Sequence, residues 1–244
     1  MNHIQNHETE VIDLGLIDYQ EGLDYQTRLF TETLAVKTAN RSLPEAEHAA
    51  TKNYLIFCEH PHVFTLGKSG DEKNLLVKRD DLSSIQATFY PINRGGDITY
   101  HGPGQIVVYP IIDMENFFTD IHQYMRMLEE SVIETLKEFS IESGRIQGLT
   151  GVWIDINSKR PRKICALGVK TSRWVTLHGL AFNVNPDLTY FNYIVPCGID
   201  DKEVTSMEKE LGQPQDLQKV KKVLEKNLFA MFGMSFQQHL AADR

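Results

Sequence analysis

The stretch RGGDITYHGPGQIVVYP, Arg94 to Pro110, decides how the chain is read. Gly95, Gly96, Gly102 and Gly104 surround a short extended piece carrying Arg94, Asp97, Tyr100 and His101, and an apolar run follows. Such a turn can cradle a phosphate, carry catalysis or only close a hairpin. The phosphate-loop pattern G-x-x-x-x-G-K-S/T is missing, and so is the dinucleotide pattern G-x-G-x-x-G. A glycine pair beside an arginine still lets a ligand lie close to the backbone. The run that leaves the turn, Gln105–Ile112, is apolar, β-branched and flanked by Gly and Asp, and reads as a strand.

Working outward, similar short segments lie around Val11–Leu16, Asn53–Glu59, Val63–Leu66, Thr88–Ile92, Val152–Ile156, Lys163–Val169 and Leu177–Val184. Three segments read as helices. The first runs from Asp18 to Thr38. The second spans Thr119–Phe139, with Ile121, Met125, Leu128, Val132 and Leu136 at helical spacing. The third spans Asp216–Phe232, with Asp216 as its N-cap and Gly233 at its end. Helices scattered among groups of strands predict an α/β fold of the α+β, mixed-sheet kind, with helices packed on the sheet. Between Tyr190 and Glu208 the periodicity fades, as in an ordered loop, a common carrier of function.

With 244 residues and 41% hydrophobic content the chain can bury a substantial core. No apolar run approaches the roughly 20 residues of a membrane span. The polar start MNHIQNHETEVIDLG lacks a signal-peptide core, which gives a cytoplasmic expectation. The net charge of −8 argues against a nucleic-acid partner. One local exception is residues 158–173, where Lys159, Arg160, Arg162, Lys163, Lys170 and Arg173 occur without an acid. That stretch is either a solvated hairpin or a docking patch for an acidic partner.

Three widely spaced cysteines do not form a disulfide framework. Cys58 and Cys165 sit in strand-like apolar runs, as small buried thiols do. Cys197 in VPCGID is different, because Pro196 and Gly198 bracket it in a defined turn. It is either another packed thiol or a presented nucleophile. Lys163 opens the apolar run KICALGV and is either a strand-end lysine pointing to solvent or a partly desolvated base. His60 and His62 in EHPHVF lack further ligands at a metal spacing, so no metal site is expected. His101 and His178 each precede a glycine and suit either a substrate site or a strand end.

Five motifs occur together and in order: EHPHVFTLG (Glu59–Gly67), RGGDITYHGPGQ (Arg94–Gln105), KICALGVK (Lys163–Lys170), HGLAFNV (His178–Val184) and VPCG (Val195–Gly198). Together they closely resemble the lipoyl(octanoyl) transferase family, from about Val11 to Phe232. The resemblance implies one catalytic domain over residues 1–244, with a biotin/lipoate ligase-like acyltransferase fold. It also implies transfer of an octanoyl group from octanoyl-acyl carrier protein to a lysine of apo lipoyl domains, with no cofactor, no nucleic acid and no membrane. The acceptors would be 2-oxo-acid dehydrogenase subunits and the glycine-cleavage H protein. By the same resemblance Cys197 carries the acyl group and Lys163 is its partner. Substrate contacts would come from Arg94, Gly95, Gly96, Asp97, Ile98, Thr99, Tyr100 and His101, from Ala166, Leu167 and Gly168, and from His178, Gly179, Leu180 and Ala181. His62 departs from the Pro or Tyr that many relatives carry.

The chemistry suits these residues. A thiolate is a strong nucleophile, yet a free thiol of pKa about 8.5 is only a few per cent ionised near neutrality. Lys163 either stabilises the thiolate as an ammonium or, if neutral, takes the thiol proton. Ile98, Tyr100, Leu167, Leu180 and Phe182 are candidates to line an apolar slot for the acyl tail, or else plain core. The basic stretch then becomes a candidate docking patch for acidic acyl carrier protein. An ATP-dependent lipoate or biotin ligase is the nearest rival; it would need a nucleotide loop and would not need Cys197. A non-catalytic binding protein is a second rival and would be indifferent to Cys197→Ala.

Overall fold

A computed structural model of the chain describes residues 5–195 and 203–236. In chain order the elements are β1 (Glu8–Leu16), α1 (Tyr19–Asn40), β2 (Asn53–Glu59), β3 (Val63–Leu66), β4 (Thr88–Pro91), β5 (Ile98–His101), β6 (Gln105–Ile111), α2 (Ile121–Glu138), β7 (Gly144–Ile146) and β8 (Leu149–Ile154). They continue with β9 (Arg162–Ser172), β10 (Val175–Asn183), β11 (Glu203–Val204), α3 (Met207–Leu211), α4 (Leu217–Phe232) and β12 (Ser235–Phe236).

Alternation along the strands explains the layers. On β2, Leu55 and Phe57 face one way and Tyr54, Ile56 and Cys58 the other. On β6, Ile106 and Val108 oppose Val107, Tyr109 and Ile111. Both strands are apolar on both faces, so both faces must be covered. Leu128, Val132 and Leu136 of α2, with Val220, Leu224 and Leu228 of α4, cover the first face. Leu29 and Phe30 of α1 cover part of the second. Each of these fully buried side chains contributes about 1.5–3 kcal/mol by leaving water.

The resulting mixed sheet has the order β12-β1-β2-β6-β10-β9-β8-β7, with β11 beside β9. A smaller sheet, β4-β3-β5, is assembled around a third cluster that includes Phe64, Ile98 and Tyr100. Asp216 caps α4 and Gly233 ends it at φ +64°, as the sequence predicts, and Asp18, read there only as the start of the first helix, caps α1 through the Gln20 and Glu21 amides. The faded region holds a 3-10 turn (Leu188–Tyr193), β11 and the start of α3; residues 196–202 lie outside the described residues.

Candidate active site

A cavity of about 540 Å³ is lined by the face of β6, β10 and β9 that α1 leaves open and by the Arg94–His101 segment of the small-sheet side. Its floor follows from residue size. Ala181 lies in register with Val107 and Ala166, and Gly179 with Gly168. Four lining positions on two adjacent strands are therefore Ala or Gly, where larger side chains would fill the space. The lining also includes Ile121, Met125, Leu149, Trp153 and Phe191, which give it apolar walls, and it touches Ile98, Leu167 and Leu180, whose side chains pack in the third cluster (Ile98) and the larger core (Leu167 and Leu180).

The Arg94 turn docks on β9 by its backbone: the Gly95 amide donates to the Val169 carbonyl at 3.2 Å. Gly168 makes room for Arg94. A methyl group on Gly168 would sit 2.7 Å from both Cδ and Nη1 of Arg94. The guanidinium donates from Nη1 to the Gly95 carbonyl (2.7 Å) and from Nη2 to the Asp97 carbonyl (2.8 Å). The Asp97 carboxylate accepts from the Ile98 amide (2.6 Å) and from Asn74 Nδ2 (2.7 Å). The Asn74 carbonyl in turn accepts from the Val195 amide at 2.8 Å. The turn is thereby joined to the chain that leads into VPCG.

A buried polar cluster closes one end. His60 donates from Nδ1 to the Ile17 carbonyl (2.9 Å), so its Nε2 accepts from the Tyr109 hydroxyl (2.7 Å). His101 donates from Nδ1 to Gln105 Oε1 (2.7 Å), whose amide donates to Asn183 Oδ1 (2.9 Å). That assigns the neutral Nδ1–H tautomer and leaves His101 Nε2 as an acceptor, 3.5 Å from Thr65 Oγ1. Burial, followed by the nearby His60, pushes the His101 pKa down to about 3. Burial, followed by the Arg94 charge, pushes His178 down to about 4. His178 also holds φ +63° inside β10, an uncommon conformation for a side-chain-bearing residue. Its amide donates to Gln26 Oε1 of α1 at 2.9 Å.

Lys163 reaches the cavity through an irregularity. β8 pairs Val152 with Cys165 but Trp153 with Lys163, so β9 carries one extra residue there. Ile164 and Cys165 both turn into the larger core at 0% exposure, and Lys163 falls on the cavity side with Ala166 and Gly168. Its ammonium lies over the Trp153 ring, 4.6 Å from the centroid. β11 runs parallel to β9 at this point, pairing Glu203 with Arg162 and Val204 with Lys163.

Of the residues singled out in the sequence, Arg94, Gly95, Gly96, Asp97, Ile98, Thr99, His101, Lys163, Ala166, Leu167, Gly168, His178, Gly179, Leu180 and Ala181 meet at this one cavity. Cys197 lies outside the described residues. Tyr100 is placed elsewhere: it points away from Thr99 and His101 into the third cluster, against Phe64 and Phe191, with its hydroxyl 2.8 Å from His62 Nδ1. Phe182 likewise belongs to the larger core, not to an acyl slot. Cys58 and Cys165 are fully buried and burial pushes both thiols up, as inert cysteines require.

The basic stretch 158–173 is not one patch. Arg162 pairs with Asp155 and Glu210, and Arg160 approaches Glu203 at 3.8 Å. Arg173, at the other end of the β9–β10 hairpin, bonds Thr38. Sequence reading missed the contributions of Tyr19, Tyr109, Trp153, Ile121 and Met125. The last two were visible only as a helical core stripe. Among the described residues, no helix is long and apolar enough to cross a membrane and no group of three His, Cys, Asp or Glu is arranged for a metal ion.

Residues 18–229 match the family model "Lipoyl protein ligase A/B catalytic domain". Curated relatives named "Octanoyltransferase" include one from Cytophaga hutchinsonii, 59% identical over 97% of this chain and 98% of its own, and one from Christiangramia forsetii, 56% identical over 93% and 97%. A bi-partite lipoate protein ligase from Thermoplasma acidophilum superposes with a TM-score of 0.70 over 96% of this chain and 87% of its own, at 16% identity. That last likeness is one of fold.

Proposed function

Because the chain belongs to the lipoyl protein ligase A/B catalytic domain family, we propose that it is an octanoyltransferase that moves an octanoyl group from octanoyl-acyl carrier protein to a lysine of apo lipoyl domains, through a thioester on Cys197. The relatives above half identity are octanoyltransferases, whereas the ligase likeness is confined to the fold. The reading is carried by one observation. Lys163 is turned by the β-bulge onto the small-residue floor of the cavity, beside the strand where the chain re-enters after the segment bearing Cys197.

The steps are as follows. The Cys197 thiolate, its proton taken by Lys163, attacks the carbonyl carbon of the donor thioester. The tetrahedral oxyanion collapses, the pantetheine sulfur leaves, and the Lys163 ammonium returns a proton to it. The acceptor lysine then attacks the new thioester as a neutral amine, Lys163 accepts the proton it loses, and collapse of the tetrahedral intermediate breaks the bond to the Cys197 sulfur, which leaves as the thiolate and restores the Cys197/Lys163 pair. The first exchange is close to balanced in energy and amide formation runs downhill. Ala166, Ala181 and Val107 floor a slot for the octanoyl tail, with Trp153 at its Lys163 end. Neutral His101 holds its lone pair at Nε2 near the cavity, and Arg94 holds the turn over Gly168, so both position substrate and neither attacks it. The chain acts as one catalytic domain of the cytoplasm.

Mass spectrometry of the intact protein after mixing with octanoyl-acyl carrier protein tests this. The expected result is one octanoyl adduct, mapped to Cys197, discharged by an apo lipoyl domain and formed without ATP. An adduct on Cys58 or Cys165, or a requirement for ATP, overturns it.

A further inference from the structure

Lys163 is held from one side by β8, and what fixes β8 there is a buried carboxylate with no part in the steps above. Gly151 of β8 has φ +124°, a conformation that favours glycine. A methyl group on it would sit 2.8 Å from the Cys165 carbonyl oxygen and 3.2 Å from Cε of Lys163. Two residues further, Trp153 lies under the ammonium. The lysine stem is thus bracketed by bare backbone and an indole ring. The Gly151 amide donates to Glu129 Oε1 of α2 at 3.0 Å. The Glu129 side chain is fully buried, and its Oε2 accepts from Arg145 Nε (2.9 Å) and Arg126 Nη1 (2.8 Å). Burying a carboxylate is unfavourable unless it is paired, and an apolar contact would join α2 to β8 as firmly. The carboxylate instead spends one oxygen on the amide that abuts the lysine.

We propose that Glu129 is a positioning residue for Lys163: with Arg126 and Arg145 it clamps Gly151, and Gly151 sets where the lysine stem runs. This rests on the reading of Lys163 as the proton-transferring group. Other charged groups near Lys163 are Arg162 with its partners Asp155 and Glu210, and Glu203 on β11. The Cys165 thiol feels both Glu129 and Lys163. Glu129→Gln keeps the shape but weakens three acceptor contacts, and Gly151→Ala presses directly on the stem.

The test compares pH–rate profiles of octanoyl transfer for the full-length chain and for Glu129→Gln, Gly151→Ala, Arg145→Gln and Lys163→Ala. The expected result is a kcat lower by about tenfold or more in Glu129→Gln and Gly151→Ala, with KM for octanoyl-acyl carrier protein changed less than about threefold. The pH midpoint of the rate should move by about half a unit or more in the same variants, and by less in Arg145→Gln, which removes one partly exposed partner. Unmoved midpoints, with rates falling only as the folded fraction falls, overturn the proposal. If Glu129→Gln does not fold, the midpoints of Gly151→Ala and Arg145→Gln decide. Full transfer by Lys163→Ala sinks the functional reading itself, whereas an inactive Lys163→Ala beside unmoved midpoints sinks only the positioning role.

Discussion

Gly168→Ala should destabilise the protein through one identifiable clash, and removing Arg94 should cancel most of the effect. The added methyl lies 2.7 Å from Cδ and Nη1 of Arg94 and 2.9 Å from the Gly95 carbonyl oxygen. Restoring ordinary contact requires Arg94 to move by about 0.7 Å or more, which stretches its 2.7 Å bond to the Gly95 carbonyl towards the limit of a hydrogen bond. A charge-assisted bond of this kind is worth about 1.5–3 kcal/mol, so a loss of about 2 kcal/mol is expected. In a chain of this length that is a fall in Tm of about 4–8 °C. In an Arg94→Ala background only the Gly95 contact remains, and Gly168→Ala should then cost about 1 kcal/mol or less. The two substitutions should thus be non-additive by about 1 kcal/mol. Chemical denaturation of the wild type, both single variants and the double variant measures this. Additivity within about 0.5 kcal/mol would show that Arg94 does not rest on Gly168 as argued.

Burial holds His101 at about 3 and His178 at about 4, below the ordinary value near 6.5, so the folded chain leaves them neutral where the unfolded chain takes up protons. Stability should therefore fall as pH drops from about 6.5 towards 4, by up to about 1.4 kcal/mol per pH unit per histidine, with no slope from them above that window. Melting curves across that range should flatten in His101→Gln; an unchanged slope counts against the assignment. Arg162→Ala should lower stability by about 1 kcal/mol, since it breaks a bidentate contact with Glu210, yet leave the affinity for acyl carrier protein within about twofold. A tenfold loss of affinity would revive the docking patch. Asn74→Ala cuts the tie between Asp97 and the chain before VPCG and should slow octanoylation of Cys197 by about tenfold at little cost in Tm; adduct formation followed over time by mass spectrometry decides it.

The parts of the fold that were legible in the sequence are those where one local rule acts alone. β2 and β3 are short, β-branched and punctuated, and their limits match the reading residue for residue. Asp216 and Gly233 mark α4 because a side-chain cap and a left-handed terminus are local requirements. β11 and β12 have two residues each, too few for any period, and exist because longer neighbours offer them an edge. Tyr100 shows the limit within a motif. Its neighbours line the cavity, but alternation turns it into a different cluster, and only the packing of Phe64, Phe191 and Tyr190 reveals which side is which.

Lys163 shows the deeper limit. Strict alternation along KICALGVK sets Lys163 with Cys165, Leu167 and Val169, whose side chains belong to the helix-covered face, and opposite Ala166 and Gly168. The lysine would then point into the core or be forced out of it. One extra residue in β9 reverses this: Ile164 and Cys165 both turn inward, and the lysine arrives over the small-residue floor. A bulge has no sequence signature here, because Ile and Cys are ordinary strand residues. Across from it on β8, Gly151 holds φ +124° and its amide is bound by the Glu129 carboxylate, the contact proposed above to set the course of the lysine stem. The residue that matters most to the proposed chemistry is therefore named by its motif but aimed by residues on two other elements.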